Sequence, residues 1–260
     1  MSRYIFSINA GRSGSAYLQH LFSHAEDCHS FHEPEPIGNG RVMRQFLSGN
    51  DRPMQQVARE KARRILELVS AGGCYVETNH CFLKGFGWFL PLHLPEEKMG
   101  VVILKRDRKD IVNSMIRTDS SPIVPTGRDW IMTPLVSRPL VRPPRGFLGT
   151  RMTYHTMRIA RLPFRGAPYW ALLGLRKPPV PGFVEAYERR CIDWYLREME
   201  ARTEMYRNQF GQIRYYEAQV DELNDLESVR RLFHFFGCEA KPSLPTVVGR
   251  RVNLKETMSR

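Results

Sequence analysis

The sequence lacks several signatures that would identify a function at once. Its five cysteines, Cys28, Cys74, Cys81, Cys191 and Cys238, form no CxxC pair and keep no regular spacing. A zinc ribbon or a disulfide scaffold is therefore not expected, and free thiols in a reducing compartment are. No HExxH occurs, and no bound metal is expected. Long apolar runs are missing too. Tyr4 to Ile8 is too short to cross a bilayer, and the stretch from Gly85 to Leu94 is broken by Pro91 and His93. No signal peptide is visible, and the expectation is a cytoplasmic chain without a membrane anchor. RRM, KH and zinc-finger signatures are absent, as is any internal repeat.

What is present points to an α/β chain with an anionic partner. The chain has 260 residues and is 42% hydrophobic, enough to bury a sizeable core. Its formal net charge of +12 favours a nucleotide, nucleic acid, membrane surface or acidic substrate as partner. Short apolar segments alternate with helical periodicity: strands at 4–8, 28–31, 74–77 and 101–104, and helices at 15–24 and 54–71 with another beginning at Asp107. In the helix from Met54, the residues Val57, Ala58, Ile65, Leu66 and Val69 fall on one face. A long helix at 183–208, a strand at 212–216 and a helix at 226–236 complete the pattern. This rhythm predicts a central parallel sheet flanked by helices in one domain spanning 1–260. Ligands of such sheets bind at the carboxyl ends of the strands, here just after Ile8, Phe31, Glu77 and Leu104. Between Arg117 and Lys177 stand eleven basic residues against Asp119 and Asp129, with many prolines. Residues 117–182 thus read as an insertion or lid over an acceptor.

The segment after the first strand is Asn9-Ala10-Gly11-Arg12-Ser13-Gly14-Ser15-Ala16. Small residues between a strand and a helix let backbone N–H groups wrap around an anion, and Arg12 adds a forked cation. The Walker form GxxxxGK[ST] is not there. The segment resembles the 5′-phosphosulfate loop of sulfotransferases that use 3′-phosphoadenosine 5′-phosphosulfate (PAPS), where a basic residue precedes Ser-Gly-Thr/Ser. Ala16 departs from the Thr often found in that family. A second stretch, Lys105-Arg106-Asp107 through Ser114, resembles the family's 3′-phosphate segment, in which an Arg ends a strand and a Ser follows eight residues later. The resemblance implies a P-loop-type sulfotransferase fold. It implies that Gly11, Arg12, Ser13, Gly14, Ser15 and Ala16 bind the phosphosulfate, and that Arg106 and Ser114 bind the 3′-phosphate. Arg250 and Arg251 stand where relatives close a tail over the nucleotide. In size the chain also resembles stand-alone bacterial sulfotransferases that finish natural products, which implies a small-molecule acceptor.

Sulfuryl transfer to a hydroxyl or amine needs a base. Two candidates stand at strand ends: Glu33 in His32-Glu33-Pro34 and His80 in Glu77-Thr78-Asn79-His80. Glu33 is the first choice because Glu-Pro fixes the backbone there. His80 follows, Glu77 is third, and His32 could orient Glu33. Arg12 would stabilise charge on the leaving phosphate. Two other functions stay open: a P-loop small-molecule kinase, and a non-catalytic basic nucleic-acid binder, although no stable nucleic-acid complex is expected.

Overall fold

The computed structural model describes residues 3–69, 73–159, 163–164, 167–168 and 182–250. Its helices are α1 (Ser15–Phe22), α2 (Gly40–Leu47), α3 (Arg52–Leu68), α4 (Arg108–Arg117), α5 (Pro125–Arg128), α6 (Phe147–Ile159), α7 (Gly182–Gln209) and α8 (Leu226–Phe236). The strands are β1 (Tyr4–Ile8), β2 (Cys28–His32), β3 (Cys74–Thr78), β4 (Met99–Lys105), the two-residue pair β5 (Pro163–Phe164) and β6 (Ala167–Pro168), and β7 (Arg214–Gln219). Five of these strands form one all-parallel sheet in the order β2-β3-β1-β4-β7. The protein is therefore α/β, with helices packed on the sheet.

The inner strands are buried on both faces and mostly apolar, with Ser7, Glu77 and Thr78 as buried polar exceptions. Tyr4, Phe6 and Ile8 of β1 join Val101 and Ile103 of β4 on one face, against Met54, Ala58 and Ile65 of α3 and Trp194 and Tyr195 of α7. Ile5, Val102 and Leu104 point the other way, onto Leu18, Leu21 and Phe22 of α1 and Val229, Leu232 and Phe233 of α8. Helix ends follow local chemistry. The Asp107 carboxylate accepts from the N–H groups of Lys109 and Asp110 and starts α4, and Gly237, at φ 76°, closes α8 in the left-handed conformation.

Strand order decides where a ligand can sit. From β1 the chain runs to β2 and β3 on one side and then returns to β4 on the other. Connections diverge at the carboxyl end of β1, the place where ligands of such sheets bind.

The sequence pattern misleads in one helix. Leu66 of α3 is exposed, whereas Lys61 is buried to 2% exposure and takes a slot in the apolar face. Its Nζ lies 2.8 and 3.0 Å from the two carboxylate oxygens of Glu77, which is fully buried, and 3.1 Å from the Pro34 carbonyl oxygen. Tyr75 Oη donates to Glu77 at 2.7 Å and Asn79 Nδ2 at 3.0 Å. Every strong acceptor of the buried carboxylate is thus engaged, the condition under which a buried pair is tolerated. Helices α2 and α6 are not legible in the sequence, and β7 begins two residues after the expected start at 212. Part of the 117–182 insertion, namely 160–162, 165–166 and 169–181, lies outside the described residues. Among the described residues, no helix is long and apolar enough to cross a membrane.

Lys61→Met leaves the Glu77 carboxylate buried without a counter-charge. Urea unfolding should show a loss of about 3–5 kcal/mol. Adding Glu77→Gln should recover most of it, and a single-variant loss below about 1 kcal/mol would contradict this view of the pair.

Candidate functional site

The loop after β1 is held from below by Asn9. Its buried Oδ1 accepts from the Gly11 N–H at 3.1 Å and from Ser13 Oγ at 3.4 Å, and its Nδ2 donates to Ser7 Oγ at 2.9 Å. Gly11 (φ 79°), Arg12 (φ 55°) and Gly14 (φ 88°) all adopt left-handed backbone, which curls the chain tightly ahead of α1. At Gly14 glycine is required twice over, because a Cβ there would also stand 2.5 Å from Val220 Cγ2. Gly14 is the N-cap of α1 and offers no side-chain acceptor, so the first-turn N–H groups at Ser15 and Ala16 depend on solvent or a ligand. Ser13 and Ser15 are buried. The Ser13 hydroxyl turns back to Asn9 rather than outward.

The second segment meets this loop directly. Arg106, just past β4, donates from Nη1 to the Arg12 carbonyl oxygen at 2.9 Å, and its Nη2 is 3.6 Å from Asp110. Ser114, buried on α4, accepts from Arg12 Nε at 3.2 Å. The 102-residue separation between Arg12 and Ser114 is bridged by the β1–β4 ladder, in which Ile8 pairs with Ile103 and β4 continues two residues past the end of β1. Burial, together with the charges of Arg117 and Arg106, lowers the Arg12 pKa. Among the described residues no carboxylate pairs with Arg12, whereas Arg106 is balanced in part by Asp110, so an arriving anion would meet the Arg12 charge first.

Glu33 and His80, rivals in the sequence, are hydrogen-bonded partners. His80 Nδ1 is 2.5 Å from Glu33 Oε1, with the two side chains 12% and 20% exposed. Glu33 follows β2 with φ 51°, an uncommon left-handed position for a non-glycine residue, and His80 follows β3. The His80 ring lies beside the loop, its Cδ2 3.5 Å from where a Gly11 Cβ would be. Its other side stacks on Trp130, with ring centroids 5.2 Å apart. Trp130 comes from the insertion, so part of that segment walls the site. Burial, and secondarily the Lys84 charge, pull His80 down to about 4 against the opposing effect of Glu33. Burial alone would raise Glu33, but the hydrogen bond and charge of His80, with His32 and Lys84, bring it below the usual range. At neutral pH the pair is thus carboxylate and neutral imidazole. Nδ1 carries the proton toward Glu33, and Nε2 keeps its lone pair.

Lys84 supports this arrangement from within the core. It is fully buried, and its Nζ donates to the Trp130 carbonyl at 2.5 Å and to Tyr195 Oη at 3.2 Å. Tyr195 in turn donates to the Ala10 carbonyl at 2.7 Å, which ties α7 to the loop. Burial draws Lys84 down to about 8.

Two expectations are corrected here. Glu77 is not available as a base, because Lys61, Tyr75 and Asn79 occupy its carboxylate inside the core. His32 does not orient Glu33. Its Nδ1 lies 3.0 Å from Thr78 Oγ1. The tail approaches the loop through Gly249, whose N–H donates to Tyr17 Oη of α1 at 2.7 Å. Arg250 follows and is exposed, while Arg251 lies outside the described residues. Asn9, Lys84, Trp130 and Tyr195 were not anticipated. Only Lys84 left a signal, as the one charged residue in the run Cys81 to Phe86.

No protein-family model matches the chain, and no curated protein matches it at a significant level.

The folded-state pKa of His80 lies below its unfolded value, so the unfolded chain takes up the proton first. Stability should fall as pH drops from about 6.5 to about 4, by about 3 kcal/mol in urea titrations, and His80→Asn should lack this slope. A His80 ring found by NMR to titrate near 6.5 would contradict the buried, Glu33-bound placement.

Proposed function

We propose that the protein is a sulfotransferase of the P-loop type that moves a sulfuryl group from PAPS to a hydroxyl or amine of a small-molecule acceptor. The meeting of two distant segments on Arg12, Ser114 through its hydroxyl and Arg106 through the Arg12 carbonyl, carries this assignment. A loop for the 5′-phosphosulfate and a cation with a hydroxyl for the 3′-phosphate are what such a donor requires, and they adjoin each other here.

The residues divide the work as follows. The N–H groups at the start of α1 and the Arg12 guanidinium would hold the phosphosulfate and stabilise charge on the bridging phosphate oxygen. Arg106 and Ser114 would hold the 3′-phosphate, with Arg250 beyond the docked Gly249. The acceptor would bind against His80 Nε2. Its O–H proton passes to His80 Nε2 as its oxygen attacks sulfur. The bond between sulfur and the bridging phosphate oxygen breaks, and 3′,5′-adenosine bisphosphate leaves. Glu33 holds the imidazole in the Nδ1–H tautomer and stabilises the imidazolium that forms, so His80 rather than Glu33 is the base. Positioning supplies much of the remaining acceleration.

Sulfated products formed from PAPS and a panel of alcohols and amines can be followed by mass spectrometry. His80→Ala should lower kcat by roughly 10²–10⁴-fold with bisphosphate affinity nearly unchanged. Glu33→Gln should lower kcat less than His80→Ala does. If His80→Ala turns over normally while Glu33→Gln is inactive, the roles are reversed. If neither variant nor the wild type transfers sulfuryl to any acceptor, while ATP is consumed, the assignment fails.

A further inference from the structure

Three cysteines that share no sequence motif converge at the end of the sheet opposite the loop. Cys28 opens β2, Cys74 opens β3, and Cys238 follows Gly237 at the end of α8. Their three Sγ atoms all lie within 4.8 Å of one another, and Cys28 and Cys238 are 3.7 Å apart. Cys74 is buried, while Cys28 and Cys238 are half-buried. We propose that Cys28, Cys74 and Cys238 form a binding site for a single thiophilic metal ion of the zinc class.

The backbone brings these thiols together without help from an ion. Cys28 and Cys74 are direct register partners in the β2–β3 ladder. The Cys74 N–H also donates to the Asp27 carbonyl at 2.8 Å, and Gly73, at φ 83°, allows that approach because a Cβ there would stand 2.5 Å from the same oxygen. On the other side, Ala25 and Ala240 form an antiparallel bridge, and the Glu26 N–H donates to the Glu239 carbonyl at 2.8 Å. The left-handed Gly237 turns the chain off α8, and the Cys238 N–H bonds back to the Phe233 carbonyl at 2.9 Å. Three segments that are remote in sequence are thus pinned, and each presents one sulfur to the same point.

The spacing suits the chemistry. Thiolates about 2.3 Å from a tetrahedral zinc stand about 3.8 Å from each other. The Cys28–Cys238 separation already matches this, and side-chain rotation can bring in Cys74. Three soft sulfur ligands select thiophilic ions over magnesium or calcium. The half-buried flank at Cys28 and Cys238 leaves one position for water. The site sits at the amino ends of β2 and β3, while Glu33 and His80 follow their carboxyl ends. The five-residue length of these strands separates the two centres by roughly 15 Å. Bound metal would therefore staple β2, β3 and α8 together and leave the chemistry at the loop untouched. Sequence spacing misses the site because zinc-ligand motifs are local and these ligands are not.

The test is cobalt(II) titration of the full chain, stripped of metal and kept reduced by a phosphine without oxygen. The expected result is thiolate-to-cobalt charge-transfer absorption that saturates at one equivalent and is displaced by zinc. Cys28→Ser and Cys238→Ser, at half-buried positions where folding should survive, should each weaken binding by roughly 100-fold or more, and Cys191→Ala should leave it unchanged. Zinc should also raise the Tm of the wild type but not of Cys28→Ser. Absence of charge-transfer absorption in a chain whose five thiols all react after unfolding would overturn the proposal, as would absorption that persists in both serine variants.

Discussion

The β1 strand is the constraint on which the architecture rests. It is paired to β3 on one side and β4 on the other, and all five of its residues are buried. A strand fixed on both edges and both faces has no freedom in where it ends. Its carboxyl end therefore sets the position of Asn9, and Asn9 shapes the turn through Gly11 and Ser13. Because β4 runs beside β1 and two residues beyond it, Arg106 stands next to the loop and its side chain reaches the Arg12 carbonyl. The candidate nucleotide site is in this sense a property of the sheet order, and the local residues refine it.

Beneath the site lie two buried polar networks that an apolar core would not need. Lys61 and Glu77 anchor the Pro34 carbonyl, next to Glu33. Lys84 and Tyr195 anchor the Trp130 and Ala10 carbonyls, which border His80 and the loop. Each is costly to desolvate and each is well satisfied, so the cost is offset only when the connected backbone stands in one arrangement. Both networks act on segments that carry candidate catalytic groups. They fix backbone beside the Glu33–His80 pair, an orientation that the proposed general-base role would need.

Most of the sheet is legible because its inner strands are buried on both faces and read as short, mainly apolar runs. The strands β1 and β3 begin where the sequence puts them, and the helix expected from Asp107 is α4, with Asp107 as its N-cap. What stayed hidden depends on tertiary partners. Lys61 looks like a solvated residue of α3 until Glu77 arrives from another strand. Glu33 and His80 look like alternatives because 47 residues separate them, and only the β2–β3 pairing makes them one unit. The same pairing draws Cys28 to Cys74 at the other end of the sheet, where no spacing rule could find them.

On the proposed function, the loop after β1 accepts a nucleotide with phosphates on both its 3′ and 5′ positions. Calorimetric titration with 3′,5′-adenosine bisphosphate and with ATP, in the same buffer and salt, tests it most directly. Charged hydrogen bonds from Arg106 and Ser114 to a 3′-phosphate should make the bisphosphate roughly 10–100-fold tighter than ATP, with or without magnesium. ATP binding as tightly as the bisphosphate, or more tightly, would contradict the account and move the chain toward the phosphoryl-transfer enzymes.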